Sequence, residues 1–176
     1  MRYKNVSNAI MAGALLFIGI LVFHGNMVFS QVPGTTYYWV GDGGDWTDVS
    51  HWSSSSGGAS ASIVPGQDDA VVFDANSFSV ANQEVTINDD GSFYSMDWSG
   101  IADEHVLIFD STLYAYGDIT LNKMLSLRRN VNFSGIQFMQ QSVFDADSAS
   151  IDCAFRIIMD NTSDSLIFAS DILMSD

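Results

Sequence analysis

Residues 96–121, MDWSGIADEHVLIFDSTLYAYGDITL, contain no twelve-residue helical stripe. They read as short apolar and aromatic runs, HVLIFD and TLYAYGDITL among them, punctuated by Gly, Asp and Ser. Runs of this length and composition, bounded by turn residues, are β-strands. The same texture extends in both directions. TYYWV, AVVFD (70–74), QEVTIN (83–88) and FYSMDWS (93–99) precede or overlap the stretch. NVNFSG, IQFMQQ, SVFDAD, CAFRIIMD and SLIFASDILM follow it. The two prolines, Pro33 and Pro65, fall between strand candidates, as strand interiors require.

A loose repeat accompanies the strands. FDANSF at 73, MDWSG at 96, IFDSTL at 108, NFSG at 132 and VFDADS at 143 share an aromatic-polar-small texture without a strict period. Short strands at roughly even spacing suit an all-β fold of one of two kinds, a β-solenoid or a β-sandwich. The solenoid is the expected fold, with the sandwich as alternative. A solenoid needs its first coil covered against edge pairing. The aromatic, glycine-rich opening supplies an N-terminal cap, so the expected division is a cap at 31–66 and solenoid rungs at 67–176.

Residues 1–30 read as a signal peptide. Arg2 and Lys4 precede an uninterrupted apolar run at 9–23, AIMAGALLFIGILVF, and small Ser30 stands before Gln31. The run is shorter than the roughly 18 to 20 residues that span a bilayer. Cleavage near Ser30–Gln31 is expected, with membrane contact only during export. All 21 acidic residues lie beyond it, against Lys123, Arg128, Arg129 and Arg156, so the mature charge is 4 − 21 = −17. Binding nucleic acid needs clustered cations, so a nucleic-acid partner is excluded. Cys153 is the only cysteine, so an exported domain must be held by its packed core rather than by an internal disulfide.

The densest motif is WVGDGGDWTDVSHWS at 39–53. Trp39, Trp46 and Trp52 are the candidates for stacking on glycan rings, against core packing of the cap. Asp42, Asp45 and Asp48, spaced by three, are the candidates for calcium, the one cofactor considered. Calcium takes six to eight oxygens from a flexible loop. This run lacks the alternating acids and closing Glu of an EF-hand, so turn-capping aspartates are the favoured reading. His51 has no His or Cys at metal-ligand spacing. Carboxylates are abundant, but none is singled out as half of a glycosidase pair, and there is no Gly-x-Ser-x-Gly elbow. No catalytic residue is assigned and the chain is read as a non-enzyme.

The order YYWVGDGGDWTDVSHWSSSSGG, VPGQDDAVVFDANSF, VTI and MDWSG resembles the N-terminal module of large type IX-secreted surface proteins of gliding bacteria, adhesin-like or gliding-motility-associated. The pattern falls on Trp39, Gly41, Gly44, Trp46, Trp52, Ser53, Val64, Pro65, Asp69, Val71, Phe73 and Asp74. It covers about residues 37–121 and departs from the family in showing no C-terminal sorting domain. The resemblance implies a secreted or cell-surface structural or adhesive module without catalysis. Its partners would be the downstream part of a longer surface protein, surface glycans or other cells. A carbohydrate-binding or polysaccharide-active β-helix is the alternative function.

Overall fold

A computed structural model describes residues 33–132, 134–157, 165–169 and 173–174. The signal-peptide expectation for 1–30 lies outside these residues. The chain opens with β1 (Thr36–Trp39) and β2 (Gly44–Asp45), a short 3-10 helix at Val49–His51, and β3 (Trp52–Ser53). Then come β4 (Ala70–Val72), β5 (Gln83–Ile87) and β6 (Gly91–Phe93), followed by β7 (Ser95–Asp97), β8 (His105–Phe109) and β9 (Thr112–Ala115). The third set is β10 (Ile119–Thr120), β11 (Leu125–Arg129) and β12 (Gly135–Phe138), and the fourth is β13 (Ser142–Asp145), β14 (Ser150–Asp152) and β15 (Ala154–Ile157). β16 (Leu166–Phe168) and β17 (Leu173–Met174) continue the stack.

Every third strand joins the same sheet. One sheet runs β16-β13-β10-β7-β4-β1-β3, a second runs β17-β14-β11-β8-β5-β2, and a third runs β15-β12-β9-β6. Successive turns pair in parallel, and among the described strands only β1 and β3 pair antiparallel. The fold is therefore a β-solenoid of about four turns. A sandwich would stack antiparallel sheets, so that alternative falls. Register partners Val71, Met96, Ile119 and Phe144 are 25, 23 and 25 residues apart, which gives the length of one turn.

Strand alternation turns this register into inner columns. Val71, Met96, Ile119 and Phe144 form one column of the first sheet, each almost completely buried. Two residues on, Phe73, Trp98, Leu121 and Ala146 form a second, also buried, with Trp39 above it. The second column shrinks from Trp98 through Leu121 to Ala146, while the first ends on its bulkiest member, Phe144. Burial and apolar character are shared along each column, but identity and size are not. That is why no strict sequence repeat exists.

The loose repeat resolves into two different corners. The copies at 73, 96 and 143 lie where the first sheet hands over to the second, between β4 and β5, β7 and β8, and β13 and β14. Those at 108 and 132 lie where the second hands over to the third. At the first corner a side-chain carboxylate or amide repeatedly accepts the backbone N–H two residues on. The pairs are Asp74 with Asn76 (2.8 Å), Asp97 with Ser99 (2.8 Å) and Asn122 with Met124 (3.0 Å). Such Asx turns bend the chain sharply using local bonds.

Three expected strands are each two strands. SLIFASDILM holds both β16 and β17, FYSMDWS breaks between β6 and β7 at Tyr94, and TLYAYGDITL breaks between β9 and β10 around Gly117. The Tyr94 N–H bonds the Asp69 carbonyl of the turn above, and the Tyr116 N–H bonds that of Phe93. The residues at these bends, Tyr94 and Tyr116, are aromatic and strand-prone by composition, so composition alone does not mark the bend.

The inner column has a direct check in the third turn. Leu121→Ala should lose about 2–5 kcal/mol in urea denaturation. Leu121→Met, which nearly conserves volume, should lose less than about 1.5 kcal/mol. Equal losses from the two variants would show that the column is not tightly packed there.

Candidate functional site

The motif at 39–53 folds into the closed end of the solenoid. β1 and β2 lie in register above β4 and β5, and β3 doubles back along the outer edge of β1. An antiparallel bridge between Ser53 and Ser60 adds a further rung outside β3. Trp39, Trp46 and Trp52 are all 0% exposed. Trp52 meets Trp39 and Trp46 edge-on at 5.0 and 4.7 Å between ring centroids. The Trp39 indole N–H donates to the Asp42 carbonyl at 2.6 Å, and that of Trp52 donates to the Trp46 carbonyl at 2.8 Å. The indole N–H of Trp46 is buried without a partner. In this arrangement the three indoles turn no ring face to solvent; they fill the end of the core.

His51 lies flat on Trp39, at 4.6 Å and 2° between planes, and its Nδ1 lies 2.8 Å from the Val40 carbonyl. This close packing explains Gly44. A Cβ there would stand 2.2 Å from His51 Nε2, so only glycine lets the imidazole settle.

The three aspartates serve separate turns. Asp42, at φ 68°, accepts the Ser79 N–H at 2.5 Å and its hydroxyl at 2.9 Å. Those two bonds hold its carboxyl below the usual aspartate value. Asp48 caps the 3-10 helix by accepting the Ser50 N–H at 2.9 Å, which also lowers its pKa. Asp45 is exposed on β2, its carbonyl closing the turn to the Asp48 N–H. Among the described residues, no group of three or more His, Cys, Asp or Glu side chains is placed to hold a metal ion. The structure thus does not bring Asp42, Asp45 and Asp48 together around one point.

What Asp42 does reach is the corner between β4 and β5. Its N–H donates to the Ser77 carbonyl at 3.2 Å, and the neighbouring Gly43 N–H donates to Gln83 Oε1 at 3.0 Å. Between the Gly41–Asp42 turn and residues 75–79 lies an open cleft of about 290 Å³. Asp42, Asn76, Ser79 and Phe78 line it, the last stacked on His105 at 3.9 Å. In the sequence, FDANSF stood as one copy of the loose repeat and as part of the family resemblance, not as a site. Its partner Asp42 lies more than thirty residues earlier, so spacing could not have joined them. The signal available was the unusual gap between AVVFD and QEVTIN.

Comparison with known proteins gives this chain no relative. No protein-family model, curated protein or solved structure matches it.

Two further groups are titratable and enclosed. Cys153 is buried, and burial pushes its thiol up to about 12. The thiolate is the reactive form, so this thiol is held inert. His105 is 4% exposed and its Nδ1 faces the Gln83 N–H at 3.3 Å, a contact in which the neutral ring accepts. Burial depresses its pKa, with Asp103 and Asp42 opposing that shift.

Stability should therefore fall in two stages on acidification. The folded His105 pKa lies below the ordinary 6.5, so its contribution is complete above pH 6.5 and declines as pH drops through that value. Asp42 and Asp90 are depressed from 3.8, so theirs is complete above that value and is lost below it. Melting temperature against pH should show both limbs. His105→Asn, whose Oδ1 can accept the Gln83 N–H, should flatten the limb between pH 6.5 and 3.8 and leave the lower one. Separately, Ellman's reagent should fail to label Cys153 at pH 8 until denaturant unfolds the chain.

Proposed function

We propose that this protein is an exported, non-catalytic β-solenoid that acts as a structural or adhesive module at the cell surface. The observation that carries the reading is the sealed end. A plug of Trp39, Trp46, Trp52 and His51 closes one end of a parallel stack, so the sheets grow in one direction only. A rod built this way presents its outer faces along its length, as scaffold proteins do. On the first sheet the outward column is Tyr38, Val72, Asp97, Thr120 and Asp145, and on the second Asp45, Thr86, Ile108, Arg128 and Asp152. Mostly polar outer columns and a strongly acidic surface keep a secreted rod soluble and separate from nucleic acid and anionic lipid.

The resemblance of 37–121 to adhesin-like modules of type IX-secreted proteins supports the same reading, as does the layout of residues 1–30. Partners under this reading are the remainder of a larger surface protein, or surface glycans of other cells. The test is expression of the complete chain in a Gram-negative host, followed by fractionation and N-terminal sequencing. Export with Gln31 as the first residue is expected. Retention in the cytoplasm with residues 1–30 intact overturns the proposal.

A further inference from the structure

The corner that hands the first sheet to the second is not uniform along the rod. It takes ten residues (73–82) between β4 and β5, then seven (98–104), then four (121–124) and four (146–149). A solenoid needs only the shortest of these to turn. Insertions in repeat folds gather on one face, often the binding face. Here the longest corner lies next to the sealed end, where the Gly41–Asp42 turn meets it and the cleft opens.

We propose that this cleft binds a single ring of a neutral saccharide. Asp42 supplies a fixed carboxylate. Ser79 holds both its oxygens in place and keeps it ionised, and each oxygen retains a lone pair for a sugar hydroxyl. Asn76 donates its amide to the Ser56 hydroxyl at 2.8 Å, which orients its carbonyl oxygen as a further acceptor. Phe78 supplies apolar surface against which the C–H face of a pyranose can lie, and its stacking on His105 prevents it from swinging away. A carboxylate, an amide and an aromatic ring around a small cleft are the groups that recognise a polyol with one apolar face.

Charge and size narrow the ligand. The mature chain carries −17, and the cleft contains Asp42 but no cationic side chain, so phosphates and uronic acids are disfavoured. A volume of about 290 Å³ lies at the lower end of ligand pockets, which run from about 300 to 1,000 Å³, and suits one ring rather than a buried oligosaccharide. An open site of this size gives weak, millimolar binding, which a rod displayed in many copies can multiply through avidity. The inference assigns a ligand class to the adhesive reading above and rests on that reading only for its biological setting.

The test is saturation-transfer NMR on the purified full chain, with the methyl glycosides of glucose, galactose, mannose and N-acetylglucosamine as probes. At least one should show saturable transfer with millimolar affinity. Asp42→Asn, tolerated because Asn accepts a positive φ, should weaken it more than tenfold. Asn76→Ala, at an exposed position outside the core, should do the same. Asp90→Asn, a hydrogen-bonded carboxylate at a different corner, should leave it unchanged. Methylammonium and inorganic phosphate are titrated in parallel. Absence of saturable transfer from all four glycosides overturns the inference, as does transfer that both cleft variants leave intact, or binding of methylammonium alone. None of these results bears on export, so the scaffold reading stands or falls separately.

Discussion

Ring stacking along one inner column sets the geometry on which the rest of this solenoid depends. Trp39 lies over Phe73 at 5.6 Å, and Phe73 over Trp98 at 3.6 Å with only 6° between planes. These two steps bracket the roughly 4.7–4.9 Å separation of adjacent strands in a sheet. Stacked rings and hydrogen-bonded strands thus impose the same rise per turn. A strand that slipped by one residue would turn its ring to the outside and a polar residue to the core, so the column also fixes the register. The N–H of Phe73 bonds the Asp97 carbonyl and that of Trp98 the Thr120 carbonyl, which ties each ring's own residue into the parallel ladder.

The column also explains why the chain invests its tryptophans at one end. A parallel stack leaves the backbone and core of its first turn uncovered, and edges of that kind invite pairing with other chains. Here β3 runs back along β1, and indoles fill the space that the next turn inward gives to three sheets. The third sheet has no strand at this level, since β6 is its first. Trp46 occupies that gap, with its ring against Gly91 at the start of β6. A Cβ on Gly91 would come within 2.8 Å of the indole nitrogen, so one glycine in the first full turn makes room for the plug.

Much of this was legible in the residues. HVLIFD, AVVFD and QEVTIN coincide with β8, β4 and β5 because β-branched and aromatic residues between Asp, Ser and Gly specify strands locally. The choice of solenoid followed from the recurrence of Asp- and Ser-bearing turns. Where the strands bend was not legible, as FYSMDWS and TLYAYGDITL show. Their corners are set by bonds to the turn above, which lies more than twenty residues away in sequence. The period was hidden for a related reason. Two corners of similar texture alternate, and one of them varies from four to ten residues, so their copies interleave without a constant interval.

The candidate site shows the same limit more sharply. WVGDGGDWTDVSHWS drew attention because it gathers ligand-capable residues in a short span, yet folding separates them. Its tryptophans go to the core, Asp48 to a helix cap and Asp42 to a turn 37 residues further along. Local density of polar residues reports how many tight turns a segment must make, since each turn needs its own acceptors. Proximity in a solenoid is instead set by turn number, so residues one turn apart share a corner while sequence neighbours face different sheets. Asp42 and Ser79 meet because one extra loop separates their turns and both stand at the same corner. In a fold whose interior must stay apolar and whose register is bound by stacking, corner length is a variable left free. A binding surface can therefore be built there without disturbing the core.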